Sequence, residues 1–144
     1  MIVDEAGLRS VGIRLSNVLR CGDVIALSGE LGAGKTTLAR AILQALGHRG
    51  EVPSPTYTLV QTYPDLAVPI AHADLYRLQQ PQEADALGLD DWLQDGALLV
   101  EWPERMGDAL WPMSLWLRLE GAGKDVRRLT WAAPPAWNTR WPAA

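Results

Sequence analysis

The spacing of apolar positions changes several times along the chain, and each change marks an element. After Asp4, a residue suited to capping, Leu8, Val11, Leu15, Val18 and Leu19 recur at helical spacing until Cys21 and Gly22 break the pattern. Residues 24–27 are unbroken Val-Ile-Ala-Leu, which predicts a short buried strand. Helical spacing returns with Leu38, Ile42, Ala45 and Leu46, and Gly47 follows as a stop. Pro53 and Pro55 then exclude helix, and β-branched and aromatic residues over 56–63 favour strand. A turn at Pro64 and Asp65 and a returning strand over 68–74 predict an antiparallel hairpin, with Pro69 implying an edge strand or a bulge.

Pro81 opens a helical stretch that runs to Leu87 and Gly88, and a second short helix is expected over 90–94 with Trp92 and Leu93 inward. The run Ala97-Leu98-Leu99-Val100 suits a central strand buried on both faces. Leu115, Leu117 and Leu119 alternate with polar or bulky neighbours, as in a half-buried strand. A turn over 121–125 and a strand over 126–131 complete a second hairpin. Alternating strands and helices predict an α/β fold. One domain is expected over residues 1–133, with 134–144, rich in Pro, Ala and Trp, as a loose tail.

Composition adds limits. The 144 residues suit one domain with a real core, and 48% hydrophobic with 21% charged is ordinary for a globular chain. A net charge of −4, with lysine only at Lys35 and Lys124, gives no basic face for nucleic acid. The single Cys21 excludes an internal disulfide and suits a reducing compartment. The first residues carry neither a basic nor a long apolar segment, and no apolar run approaches a membrane span. The expectation is a cytoplasmic protein without membrane contact.

The chemistry concentrates in Gly29-Glu30-Leu31-Gly32-Ala33-Gly34-Lys35-Thr36-Thr37, which fits the phosphate-binding P-loop pattern G-x-x-x-x-G-K-[ST] between a strand and a helix. Glycines let the backbone wrap an anion with its N–H groups inward. The helix beginning near Lys35 aims its positive end at the same place. Lys35 is placed for the β- and γ-phosphates, Thr36 for Mg²⁺ and Thr37 for the α-phosphate. A buried strand that ends in Glu101 has the logic of a Walker B element, delivering a carboxylate to the metal. Asp74, ending a less apolar strand, is a second candidate for metal or water. His72 is expected as a packed strand residue, and Arg77 as a surface ion pair or a phosphate contact. Ser54, Thr56 and Thr58 allow two readings, a γ-phosphate sensor or threonines that suit a sheet. Trp102 is either core or an exposed aromatic contact.

Taken together, the loop at 29–37, Ser54-Pro55-Thr56-Tyr57-Thr58-Leu59-Val60, His72-Ala73-Asp74-Leu75-Tyr76-Arg77-Leu78 and Leu99-Val100-Glu101-Trp102-Pro103-Glu104 resemble the signatures of the TsaE family. That family is the bacterial ATPase of tRNA threonylcarbamoyladenosine synthesis. The likeness covers roughly residues 4–105 and departs chiefly at Ala73, where the family usually has Phe. It implies a P-loop NTPase-like three-layer fold, with a mixed parallel and antiparallel sheet between helices. It implies ATP and Mg²⁺ as ligands, held by Leu31, Gly32, Ala33, Gly34, Lys35, Thr36 and Thr37. Glu5 is implied on the adenine side. Thr56 and Thr58 are implied as switch residues, Glu101 beside the metal and the attacking water, and Trp102 in function. The partners implied are TsaB and TsaD, with tRNA reached only through that complex.

Two other classes compete. A small-molecule P-loop kinase would need an acceptor pocket and an arginine-bearing lid, and no arginine-rich lid is visible. A nucleotide-dependent binding module would bind without turnover. A GTPase is disfavoured because neither Asn17 nor Asn138 precedes a lysine.

Overall fold

The computed structural model describes residues 1–53, 55, 59–121 and 124–142. Its frame is a seven-stranded mixed sheet. The strands are β1 (Ile2–Val3), β2 (Val24–Gly29), β3 (Val60–Tyr63), β4 (Ile70–Asp74), β5 (Ala97–Glu101), β6 (Leu115–Glu120) and β7 (Arg127–Ala132), in the spatial order β1-β7-β6-β2-β5-β4-β3. Strand β2 lies at the middle, parallel to β5 and β6, and β4 is parallel to β5. The β3–β4 and β6–β7 pairs are antiparallel, as the hairpin signals predicted. The two-residue β1, which no sequence pattern announced, pairs with β7.

Alternation along the strands divides the core in two. Ile25, Leu27, Ile70, Leu99, Leu115 and Leu117 face helices α1 (Glu5–Val18) and α2 (Lys35–Ala45). Val24, Ala71, Ala73, Leu98 and Val100 face a thinner layer. That layer consists of a 3₁₀ stretch Pro81–Leu87, the single turn α3 (Leu89–Trp92) and a second 3₁₀ stretch Pro103–Ala109. The result is the three-layer arrangement expected. Asp4 caps α1 by accepting from the Gly7 N–H at 2.7 Å, and Leu8, Val11 and Leu15 form its buried stripe. On α2, Leu38, Ile42 and Leu46 are buried, whereas Ala45 faces solvent and Leu43 takes an inward place instead. Gly47, at φ 113°, ends the pattern as expected.

Two expectations need correction. Pro69 does not mark an edge strand. It stands just before the internal strand β4, where its missing N–H removes no ladder bond and its carbonyl accepts from Ala97 N–H at 2.8 Å. The segment after Pro134 is not a loose tail up to residue 142. Trp137 and Trp141 are 0% and 1% exposed within the core between the sheet and α1, and Arg140 forms a buried pair with Asp23 at 2.6 Å. Two buried indoles carry enough apolar area to outweigh the ordering of a short segment.

Candidate functional site

Strand β2 runs into a loop over residues 30–34 whose glycines adopt conformations other residues resist. Gly32 and Gly34 have φ of 79° and 110°. At Gly29 a Cβ would lie 2.4 Å from the Leu119 carbonyl oxygen, so the backbone passes too close to β6 for any side chain. Gly34 occupies the N-cap of α2 and supplies no side-chain cap. The first-turn N–H groups of α2 thus lack the kind of side-chain partner that Asp4 gives to α1, and they open toward the loop.

Lys35 is 5% exposed. Its ammonium donates to the Gly29 carbonyl and, at 2.9 Å, to the Glu30 carbonyl. It also lies 4.2 Å from the ring centre of Trp102. Burial holds the Lys35 ammonium below the ordinary lysine range, against the opposing pull of Glu101, then Asp74, Glu104 and Glu30. The charge is therefore poorly solvated and faces the place where an anion would complete it.

The register of the parallel pair β4–β5 sets Asp74 beside Glu101, so both strands end in a carboxylate on the same side of the sheet. Glu101 is 2% exposed. The Thr36 hydroxyl, one residue along α2 from Lys35, lies 3.1 and 3.2 Å from its two oxygens. Asp74 accepts from the Tyr76 N–H at 3.0 Å. A cavity of about 230 Å³ is lined by Leu31, Gly32, Gly34, Lys35, Thr36, Thr37, Asp74, Glu101, Trp102 and Arg127. Every member of that lining except Arg127 was expected from sequence.

Trp102 holds a left-handed conformation, φ 58° and ψ 50°, which puts its ring over Lys35 and 4.9 Å from Tyr76. Such a conformation costs of order 1–3 kcal/mol for a non-glycine residue, so the surrounding structure must hold it in place. Arg127 at the start of β7 donates to the Ala33 carbonyl at 3.0 Å and brings a second cation to the cavity. Sequence reasoning placed it only in a hairpin strand, because its approach to the loop follows from β7 folding back beside β6. Arg77, the helper considered instead, is exposed and outside that lining.

Glu5 is exposed at the first position of α1, outside the cavity, although α1 flanks the loop through Leu8, which packs behind Gly34. Ala33 is fully buried and joins the site only through its carbonyl. Thr58, with Ser54 and Thr56, lies outside the described residues.

The family model described as threonylcarbamoyl adenosine biosynthesis protein TsaE matches residues 2–129. The chain belongs to the TsaE family. A TsaE protein of Streptomyces coelicolor is 44% identical over 122 residues, which cover 83% of this chain and 82% of that one. A TsaE protein of Haemophilus influenzae is 48% identical over 110 residues, covering 72% and 70%. A crystal structure of YdiB from Bacillus subtilis superposes with a TM-score of 0.76 at 30% identity, covering 92% of this chain and 84% of that one. The TsaE assignment sets the chain in threonylcarbamoyladenosine biosynthesis, and the mixed α/β sheet agrees with the fold expected. Among the described residues no helix is long and apolar enough to cross a membrane.

Proposed function

We propose that this TsaE chain is a Mg²⁺-dependent ATPase that serves threonylcarbamoyladenosine modification of tRNA in the cytoplasm, slowly alone and effectively when docked on TsaB and TsaD. One observation carries the reading: a helix N-terminus without a side-chain cap, Lys35, and the Thr36–Glu101 pair meet at one cavity. At about 230 Å³ that cavity falls below the ~300–1,000 Å³ of whole-ligand pockets. It suits the polyphosphate end, with the nucleoside lying over the rim toward the start of α1.

The donor set supports a hard cation. A hydroxyl and two carboxylate oxygens lie within 3.2 Å of one another, and oxygen donors are what Mg²⁺ takes. Thr36 and Glu101 would hold the ion, which would offset charge on the terminal phosphates. The loop N–H groups and Lys35 bind and orient the β- and γ-phosphates. Glu101, with Asp74 beside it, orients the attacking water, and Trp102 limits solvent access to Lys35. Phosphate release from ATP, measured with and without purified TsaB and TsaD, tests the proposal. Release to water that rises with the partners supports it, and phosphate retained on an added acceptor refutes it.

A further inference from the structure

His72 lies on β4 at full burial, on the same face as Ile70 and Asp74 and across from β5. Its Nε2 is 2.5 Å from Oε2 of Glu101. A carboxylate that serves as a metal ligand is ionised and only accepts, which requires the imidazole to donate from Nε2. Its Nδ1 is buried with no hydrogen-bond partner among the described residues. The ring thus gives up one of its two polar atoms to reach Glu101 with the other. An unpaired buried polar atom carries a desolvation penalty that plain packing by leucine would avoid.

We infer that His72 is the positioning residue for Glu101, holding Oε2 by its Nε2–H so that the carboxylate stays turned toward Thr36 and the metal position. The inference rests on the ATPase reading above. Being fully buried, His72 does not touch ligand itself, and it acts through the carboxylate. The three residues come from three elements: His72 from β4, Glu101 from β5 and Thr36 from α2. Without the imidazole, Glu101 keeps only the hydroxyl of Thr36 among these donors, and that hydroxyl would be drawn away when it ligates the ion. Partners of this kind behind a ligating group typically change metal affinity or activity 10–100-fold when removed.

The test compares wild type with His72→Leu, which removes the donor, and His72→Gln, which retains one near the Nε2 position. His72→Leu should raise the Mg²⁺ concentration for half-maximal hydrolysis about 10-fold or more. It should leave ATP binding without Mg²⁺ unchanged, and His72→Gln should recover most of the loss. Equal losses in both variants that follow their loss of thermal stability would reduce His72 to packing and overturn the inference. A second arm needs no nucleotide. The chain has two histidines, so ¹⁵N-histidine labelling resolves His72 from His48. A proton on Nε2 whose resonance moves in Glu101→Gln is expected, and a ring without a proton on Nε2 overturns the inference. Wild type that binds no ATP ends the ATPase reading and this inference together. Wild type that hydrolyses ATP beside an unaffected His72→Leu ends the inference alone.

Discussion

At the scale of the residue, Lys35 has an environment that can be checked by pH. Burial is the largest influence and lowers its pKa from 10.5, so the folded chain loses this proton before the unfolded chain does. Below the folded pKa both states hold the proton and the desolvation penalty is present in full. Between the folded value and 10.5 the unfolded state binds more protons, so stability without ligand rises with pH across that window. ATP affinity should move the other way there, because phosphate needs the charged ammonium. Melting curves and ATP titrations over the alkaline range should show these opposite slopes in wild type. Lys35→Ala should lose the rise in stability along with tight ATP binding. The paired carboxylates make a second prediction. Both oxygens of Glu101 lie within 3.2 Å of the Thr36 hydroxyl, the other expected metal ligand, so Glu101→Gln should shift the Mg²⁺ requirement of hydrolysis more than Asp74→Asn. A Mg²⁺ titration of both variants decides, and a shift confined to Asp74→Asn would reverse the roles. These residues were legible because the loop pattern and a strand-ending acid are local signals. The His72 contact and the entry of Arg127 were not, since each depends on which strands become neighbours.

Helices and strands were legible to the extent that their periodicity was strong. Strand β5 and the alternating β6 fall where the pattern placed them. The two-residue β1 is too short to have a period, and its pairing with β7 depends on contacts across the chain. The packing of α1 on α2 contains a detail that the apolar stripe alone does not reveal. Gly12 sits in mid-helix, where glycine ordinarily costs about 0.5–1 kcal/mol relative to alanine. Here a Cβ would lie 2.6 Å from the Ala41 Cβ and 3.0 Å from its carbonyl carbon, so the two helices cross at closest approach on a bare backbone. Gly12→Ala should therefore lower stability, the overpacking penalty of about 1–3 kcal/mol exceeding the gain in helix propensity. Chemical denaturation measures the sign directly. Because α2 carries Lys35 and Thr36 at its start, a displaced α1–α2 contact should also weaken ATP binding, whereas an equal destabilisation placed at Trp137 should not.

For the whole molecule, the site is a shared product of distant segments. The loop comes from residues 30–34, the carboxylates from β4 and β5, and the second cation from β7. The C-terminal segment closes the opposite side, with Trp137 and Trp141 in the core and Arg140 paired with Asp23 just before β2. Fast phosphoryl transfer draws on positive charge over the terminal phosphate. Lys35 and Arg127 line the cavity, and Arg127 is already engaged with the Ala33 carbonyl. An arginine supplied by a partner is worth ~10³–10⁵ in rate in comparable reactions. Trp102 borders the site: its ring covers Lys35 on one side, contacts Tyr76, and through Tyr76 adjoins Arg105. Tyr76 is itself exposed, which makes this aromatic pair a surface able to anchor a docking protein. Trp102→Ala should accordingly reduce ATP hydrolysis in the presence of TsaB and TsaD by more than it reduces ATP affinity of the free chain. Steady-state turnover with partners and nucleotide titration without them give the two numbers. Equal losses would confine Trp102 to the nucleotide site. Turnover by the purified chain already at ~1–100 s⁻¹, the range of kinases that need no partner, would remove the case for docking altogether.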